Sequence, residues 1–98
     1  MELKEGKIYY CSWNYRKNTE HAIVKIISNH SLNYWNVISL QYSDKKFYPL
    51  ISEFPLSNFV RKADLKEINY LNSCIAANKF IPLSEIKEEN LLSNFQLF

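Results

Sequence analysis

The residues that could perform catalysis or hold a metal are few and widely spaced along this 98-residue chain. A nucleophilic site needs a cysteine or serine beside a base, and Cys11 with His21 or His30 is the only such combination. Both histidines fall at the ends of expected strands, where polar residues are common, which favours structural roles. A zinc site needs four ligands, usually in close pairs, whereas these residues and Cys74 lie far apart. The sequence therefore predicts a protein that is not an enzyme and holds no metal or cofactor.

The remaining chemical signal is a set of aromatic residues interleaved with basic ones. Aromatic rings can anchor a protein interface or stack on nucleic-acid bases, while Lys and Arg contact acids or phosphates. Most rings are expected to fill the core of so small a domain, and Trp13, Tyr15 and Trp35 are the hardest to bury by strand alternation. We predict a partner-binding surface made of Trp13, Tyr15, Arg16, Lys17, Trp35, Asp44, Lys45 and Lys46.

The charge of the chain is small and unevenly distributed. The net charge is +2, with nine basic against five acidic residues in 1–62 and three against five in 63–98. An ordinary solvated surface accounts for the difference in charge between the two halves. A net charge of this size does not indicate nucleic-acid binding. Charged residues near the start interrupt the apolar stretch that a signal peptide would need. The apolar runs elsewhere are too short to span a membrane. We therefore expect a cytoplasmic protein with reduced cysteines.

Five short strands are expected to position these residues. They are predicted over Lys7–Trp13, His21–Ser28, Tyr34–Tyr42, Phe47–Ile51 and Asn58–Arg61. A longer loop is expected at Asn14–Glu20, and a turn at Ser43–Lys46 closes a hairpin. Gly6 is the only glycine, so the turns should take positive φ from asparagine. The asparagines at suitable positions are Asn14, Asn18, Asn29, Asn33, Asn58 and Asn78.

One helix follows the strands, and the signals for both of its ends are in the sequence. Asp64 can cap the first turn while Glu67 reaches back to the cap, and Asn78 can take the left-handed turn that ends the helix. Pro82 prevents the helix from resuming. Apolar residues recur at helical spacing between these ends, at Leu65, Ile68, Leu71 and Ile75.

The order of these elements predicts one α+β domain over residues 1–98, with a β half at 1–62 and a helical half at 63–98. Five short antiparallel strands suit a small SH3-like or Tudor-like barrel, or a curved open sheet, packed on the C-terminal helix. A short second helix is expected over Leu83–Leu92. The apolar end at Phe95–Phe98 should either dock on the core or meet a partner.

Two segments of the sequence resemble small phage and prophage accessory proteins. The first is the Gly-x-x-Tyr opening at Gly6–Tyr9. The second is the run Phe59–Ile68, which contains Arg-x-Ala-Asp-x-x-Glu-Ile, continues to Leu71 and closes at Lys79–Pro82. The resemblance brings no catalytic residues with it. It implies an origin in a mobile element, and such short proteins are often inhibitors of host defence, including anti-CRISPR proteins.

Three functional hypotheses follow from these observations. The first is a non-enzymatic phage-type accessory protein that binds a host protein or ribonucleoprotein stoichiometrically and blocks a defence nuclease or another defence protein. The second is a module that binds single-stranded nucleic acid through a basic aromatic face. The third is a homo-oligomeric phage component assembled through Phe95–Phe98.

Overall fold

The structure of the protein, a computed structural model, describes residues 2–86, which form five strands followed by one helix. The strands are β1 (Ile8–Tyr15), β2 (Asn18–Ser31), β3 (Tyr34–Gln41), β4 (Lys46–Pro55) and β5 (Phe59–Lys62). The helix is α1 (Leu65–Ala77), and 3-10 turns lie at Leu56–Asn58 and Leu83–Glu85. None of the helices described in this part of the chain is long and apolar enough to cross a membrane.

All five strands belong to one antiparallel sheet with the order β4-β3-β2-β1-β5. Strands β1 to β4 follow one another as hairpins, whereas the chain after β4 crosses to the far edge, where β5 pairs with β1. The predicted α+β class is confirmed. Strands β4 and β5 form the two edges and share no ladder within the described residues, so the sheet is open.

One face of the sheet encloses a group of buried side chains, here called the inner cluster. Trp13 of β1 and Phe54 of β4 meet edge to face in this cluster, with ring centroids 5.2 Å apart. Two strands separate β1 from β4, so this contact requires a strongly curved sheet. The buried members of the inner cluster are Leu3, Tyr9, Cys11, Ala22, Val24, Ile26, Val37 and Phe54.

The opposite face of the sheet is covered by α1, and the contact forms a second hydrophobic cluster, here called the helix-side cluster. Leu71 and Cys74 of α1 are fully buried there with Ile23 of β2 and Leu40 of β3. Side chains alternate between the faces of a strand, so Val24, next to Ile23, belongs to the inner cluster. Burial of both faces explains the unbroken apolar run Ala22-Ile23-Val24.

The ends of α1 are those that the sequence predicts. The Asp64 carboxylate accepts a hydrogen bond from the Glu67 backbone N–H at 2.8 Å, and the Glu67 carboxylate accepts one from the Asp64 N–H at 2.9 Å. Asn78 ends the helix in the left-handed conformation, at φ 55°. This reciprocal capping satisfies two backbone donors that the first helical turn leaves without intrahelical partners.

The predicted loop at Asn14–Glu20 is wrong. Strand β1 continues to Tyr15 and β2 begins at Asn18, so two residues, Arg16 and Lys17, connect them. The pairing of Trp13 with Glu20 and of Asn14 with Thr19 extends the ladder to the turn, although the Asn and Glu residues of this stretch have low strand propensity. As a result, His21 lies inside a 14-residue strand and not at its end.

The expectation that asparagine supplies positive φ is confirmed at one position only. Among residues 2–86, apart from Gly6, the residues with positive φ are Arg16 (58°), Lys45 (56°) and Asn78 (55°). The other predicted asparagines do not take this conformation. Asn18 and Asn29 lie within β2, where the backbone is extended, and the two turns instead place a basic residue in the left-handed region.

Edge strand β4 is longer than predicted and is interrupted by a bulge. Tyr48 pairs with Ser39 and Ser52 pairs with Val37, so Pro49–Ile51 face a single residue of β3. Leu50 is 81% exposed at this bulge. Proline cannot donate to a ladder and is tolerated at edges and bulges, which accounts for the interruption.

The predicted second helix over Leu83–Leu92 can be compared with the structure only as far as residue 86. Leu83–Glu85 form a single 3-10 turn in which the Ile86 N–H donates to the Leu83 carbonyl. The remainder of the predicted helix and the apolar end at Phe95–Phe98 lie outside the described residues.

Candidate functional site

The β1–β2 and β3–β4 turns lie side by side at one end of the sheet, here called the turn end. The His21 backbone N–H donates to Ser43 Oγ at 2.8 Å, and the Ser43 hydroxyl lies 3.3 Å from the His21 carbonyl oxygen. A cavity of about 420 Å³ opens between the two turns. Four of the eight predicted residues line this turn cavity, namely Trp13, Tyr15, Arg16 and Asp44.

Tyr15 is the exposed ring of the turn end. Its side chain is 57% exposed, and the guanidinium carbon of Arg16 lies 5.3 Å from the ring centroid. An arginine held over a tyrosine forms a flat amphipathic surface of the kind found at interface hot spots. Trp13 lies deeper, half-buried against the inner cluster, and forms the floor of the turn cavity.

The two residues with strained backbones at the turn end are both cations. For a residue with a Cβ atom, the left-handed conformation costs about 1–2 kcal/mol. Glycine or asparagine would lower this cost, and the chain does place an asparagine at the third such position, Asn78. The strain at Arg16 and Lys45 therefore accompanies side chains whose charge is not needed to make the turns.

The turn end carries more positive than negative charge. Lys17 and Lys46 are exposed and stand next to Arg16 and Lys45 in the two turns. Asp44 and Glu20 line the turn cavity with Arg16, so acidic groups lie among the cations. The result is a mixed polar surface with a basic excess, which fits a partner surface that carries acidic groups.

Trp35 does not join the other predicted residues. It pairs with Phe54 near the start of β3, at the end of the sheet opposite the turn end. The ring is half-buried against the inner cluster, and its indole Nε1 is buried without a hydrogen-bond partner among residues 2–86. Of the three rings expected to be exposed, Tyr15 alone is, because curvature of the sheet turns Trp13 and Trp35 into the inner cluster.

The residues considered for catalysis are not brought together. Cys11 is fully buried in the inner cluster, and burial raises the pKa of its thiol. Cys74 is buried in the helix-side cluster across the sheet, and both cysteines are free thiols. His21 stacks with Tyr42, which packs against the helix-side cluster. No group of three His, Cys, Asp or Glu residues able to hold a metal ion occurs in the described part of the chain.

A stacked row on the helix side of the sheet was not predicted as a functional feature. The Arg61 guanidinium lies 4.4 Å from the centroid of the Tyr10 ring, Tyr10 stacks on His21, and His21 stacks on Tyr42. The Tyr10 hydroxyl also hydrogen-bonds His21 Nδ1. Burial is the largest cause of the raised pKa of Tyr42, and the neighbouring Tyr10 and Glu67 raise this pKa further. Tyr10 and Tyr42 are visible in the sequence as aromatic residues, but only the strand register reveals the row.

Comparison with known proteins assigns the chain to no family. No protein-family model matches it, and no curated protein or solved structure is significantly similar to it. The function is therefore inferred from the arrangement of the side chains at the turn end and on the helix side of the sheet.

Proposed function

We propose that this chain is a non-enzymatic binding protein that acts by stoichiometric contact through its turn end. The observation that carries the proposal is the pair of strained basic residues, Arg16 at φ 58° and Lys45 at φ 56°, in adjacent turns. Strain of this kind occurs at binding and catalytic sites, where the side chain is needed for the contact. The exposed ring of Tyr15 beside Arg16 supplies an anchor of the type that dominates interface energies.

The topology supports an SH3-like barrel as the scaffold for this surface. The strand order β4-β3-β2-β1-β5 and the 3-10 turn at Leu56–Asn58 before the last strand are features of that architecture. The contact of Trp13 with Phe54 across the inner cluster supports a sheet curled towards closure. Small barrels of this class present their binding residues on loops and turns, as proposed here.

We further propose that the partner is a host defence protein, most directly a nucleic-acid-guided nuclease, and that the chain is a phage-type inhibitor acting in the host cytoplasm. The resemblance of Gly6–Tyr9 and Phe59–Ile68 to phage accessory proteins supports this origin. The basic excess at the turn end suits an acidic surface on such a target.

A double variant with a matched control tests the proposal. In cells that carry a defence nuclease directed against a phage, expression of the chain is expected to restore phage growth, and the purified chain to co-purify with the nuclease. Arg16→Asn with Lys45→Asn should abolish both effects, since it removes the two strained cations. Lys66→Gln with Lys79→Gln removes the same charge from exposed positions elsewhere and should change neither. Equal loss of activity in both double variants would show that net charge, and not the turn end, is responsible.

A second function, binding of single-stranded nucleic acid, is favoured by one observation. Arg16, Lys17, Lys45 and Lys46 all lie in or beside the two turns, near the exposed ring of Tyr15. Cations could follow the phosphates while the ring stacks on a base. Retention of single-stranded RNA or DNA should then fall steeply with salt and vanish when the four cations are replaced by Ala. No retention by the parent protein at low salt would exclude this function.

A further inference from the structure

A second cavity, here called the helix-side cavity, lies between α1, the segment after it and the end of β3. Its volume is about 450 Å³, within the range of small-molecule sites. Residues from four segments of the chain line it, namely β2, the β3–β4 turn, α1 and the segment after α1. Its walls are mainly apolar and aromatic, formed by Ile23, Tyr42, Tyr70, Phe80, Pro82 and Leu83.

The aromatic walls are held in place by their packing. Tyr70 is 7% exposed and belongs to the helix-side cluster, against which Tyr42 and Phe80 also pack. Tyr42 is fixed further by its stacking on His21, with the two rings 5° from parallel. Rigid rings on several sides of a cavity suit a planar aromatic ligand, because little ordering is required when it binds.

The acidic residue of the cavity is already neutralised. The Glu67 carboxylate receives two hydrogen bonds from the Arg61 guanidinium, at 2.7 and 3.0 Å. It accepts a third from the Asp64 backbone N–H at 2.9 Å. Because these donors occupy both oxygens, Glu67 does not make the cavity a site for cations.

Lys45 supplies the remaining charge of the helix-side cavity. Its side chain lines this cavity, whereas its neighbour Asp44 lines the turn cavity. Within residues 2–86 no carboxylate lies at ion-pair distance from Lys45. The polar group that a ligand brings to the cavity should therefore be an anion.

Tyr70 adds a neutral donor to the cavity. Burial raises the pKa of Tyr70 to about 12, while the Leu83 backbone N–H at its oxygen acts in the opposite direction. The phenol is protonated at neutral pH, so its hydroxyl can act as a donor. The cavity thus joins aromatic walls to one cation and one hydroxyl donor.

We propose that the helix-side cavity binds a small aromatic carboxylate, with the ring between Tyr42, Tyr70 and Phe80 and the carboxylate at Lys45. The site adjoins the contact surface at the turn end and shares Lys45 with it, but its cavity is separate from the turn cavity, since Lys45 lines the first and Asp44 lines the second. It gives this chain a small-molecule ligand in addition to its macromolecular partner.

Three probes with one ring system and different charges test the proposal: indole-3-acetate, indole-3-acetamide and tryptamine. Titration of the full chain, followed by backbone amide NMR shifts, should show saturable binding of one molecule. Indole-3-acetate is expected to bind about 5–10-fold more tightly than the neutral amide, through its contact with Lys45. Tryptamine is expected to bind most weakly. The amides of Ile23 and Leu83 should shift, and those of Asn18 and Glu20 at the turn cavity should not.

Variants locate the contact and separate it from the proposed function. Lys45→Gln should reduce the affinity for indole-3-acetate to that for the amide, while Lys46→Gln should leave the preference unchanged. Leu83→Trp places a large ring at a position that is 58% exposed at the cavity and should abolish binding without unfolding the chain. Arg16→Asn should lower partner binding and leave probe binding intact.

The proposal is overturned if none of the probes saturates, if acetate and amide bind equally to the parent protein, or if the shifts map to the turn cavity. Because Arg16→Asn acts only on the turn end, failure of the probes and failure of partner binding are distinguishable outcomes.

Discussion

The end of α1 and the two turns of the turn end adopt the same left-handed backbone conformation with different residues. All three positions adopt positive φ, at Asn78 in the helix end and at Arg16 and Lys45 in the turns. Asparagine is among the residues that tolerate this conformation best, whereas arginine and lysine adopt it at a cost. This difference is the one expected if the residue at the helix end serves stability and the residues of the turns serve the contact proposed above.

The same contrast extends to the surroundings of these residues. The helix end lies beside a cluster whose central residues, Leu71 and Cys74, are fully excluded from solvent. The turn end has the exposed ring of Tyr15, four cations and a cavity open to solvent. Changes near α1 should therefore act on folding, and changes at the turn end should act on binding.

The largest effect should come from Leu71→Ala. Leu71 is fully buried between α1 and the sheet, so its truncation leaves a cavity in the helix-side cluster. The free energy of unfolding should fall by about 2–5 kcal/mol, measured by urea denaturation. Leu65→Ala, at a position on α1 that is 57% exposed, is the matched control and should cost less than about 1 kcal/mol. Equal losses would mean that α1 does not pack as described.

The next effect is a loss of stability at high pH that depends on Tyr70. Its pKa is raised to about 12 in the folded chain, so the folded state keeps a proton that the unfolded chain loses near pH 10. This contribution is fully present below about pH 10 and is lost as pH rises towards 12. At pH 11 the loss should be about 1 kcal/mol. Tyr70→Phe should flatten this part of the pH profile in urea titrations, and an unchanged slope would contradict the assignment.

Removal of the helix cap should have an effect of similar or smaller size. Asp64→Ala leaves the Glu67 backbone N–H without its acceptor and should lower the free energy of unfolding by about 1 kcal/mol. Asp44→Ala removes an acid of the same size from the turn end and should change stability by no more than about 0.5 kcal/mol. Thermal unfolding of the two variants side by side measures the difference. A larger loss of stability for Asp44→Ala would show that Asp44 stabilises the fold and is not only a residue of the proposed binding surface.

The smallest effect, opposite in sign, tests the comparison most directly. Arg16→Asn and Lys45→Asn should leave the free energy of unfolding unchanged or raise it by up to about 1 kcal/mol, because asparagine tolerates positive φ. The reciprocal change, Asn78→Lys, should lower it by a similar amount. Chemical denaturation of all three variants provides the measurement. Marked destabilisation by either turn variant would show that the cation is needed for folding.

The sequence predicts α1 accurately because its determinants are local. Asp64, Glu67 and Asn78 act through hydrogen bonds and φ values within a few residues of one another, so spacing alone identifies them. Alternation and apolar runs also predict the strands near their observed positions, because both patterns reflect burial on the two faces of the sheet. The sequence predicts β2 and β4 too short. Their ends are held in the sheet by pairing with neighbouring strands, which the composition of the ends themselves does not reveal.

The arrangement of the candidate binding residues could be predicted only in part, because it depends on register and curvature. Tyr15, Arg16 and Asp44 were identified by residue type and lie together at the turn cavity. Trp35 has the same chemical character, but curvature of the sheet packs it against the inner cluster. The row of Arg61, Tyr10, His21 and Tyr42 comes from four different parts of the chain, and no local pattern joins them.

The bulge in β4 has a consequence for how the molecule behaves at high concentration. A second chain that approached this edge would meet Pro49, which has no N–H to offer, and a stretch whose spacing differs from that of a straight strand. Growth of the sheet from one molecule to the next is thereby discouraged, even though Leu50 and Ile51 are exposed there. The stoichiometric binding proposed above requires the chain to accumulate without forming fibrils, and this irregular edge favours that outcome.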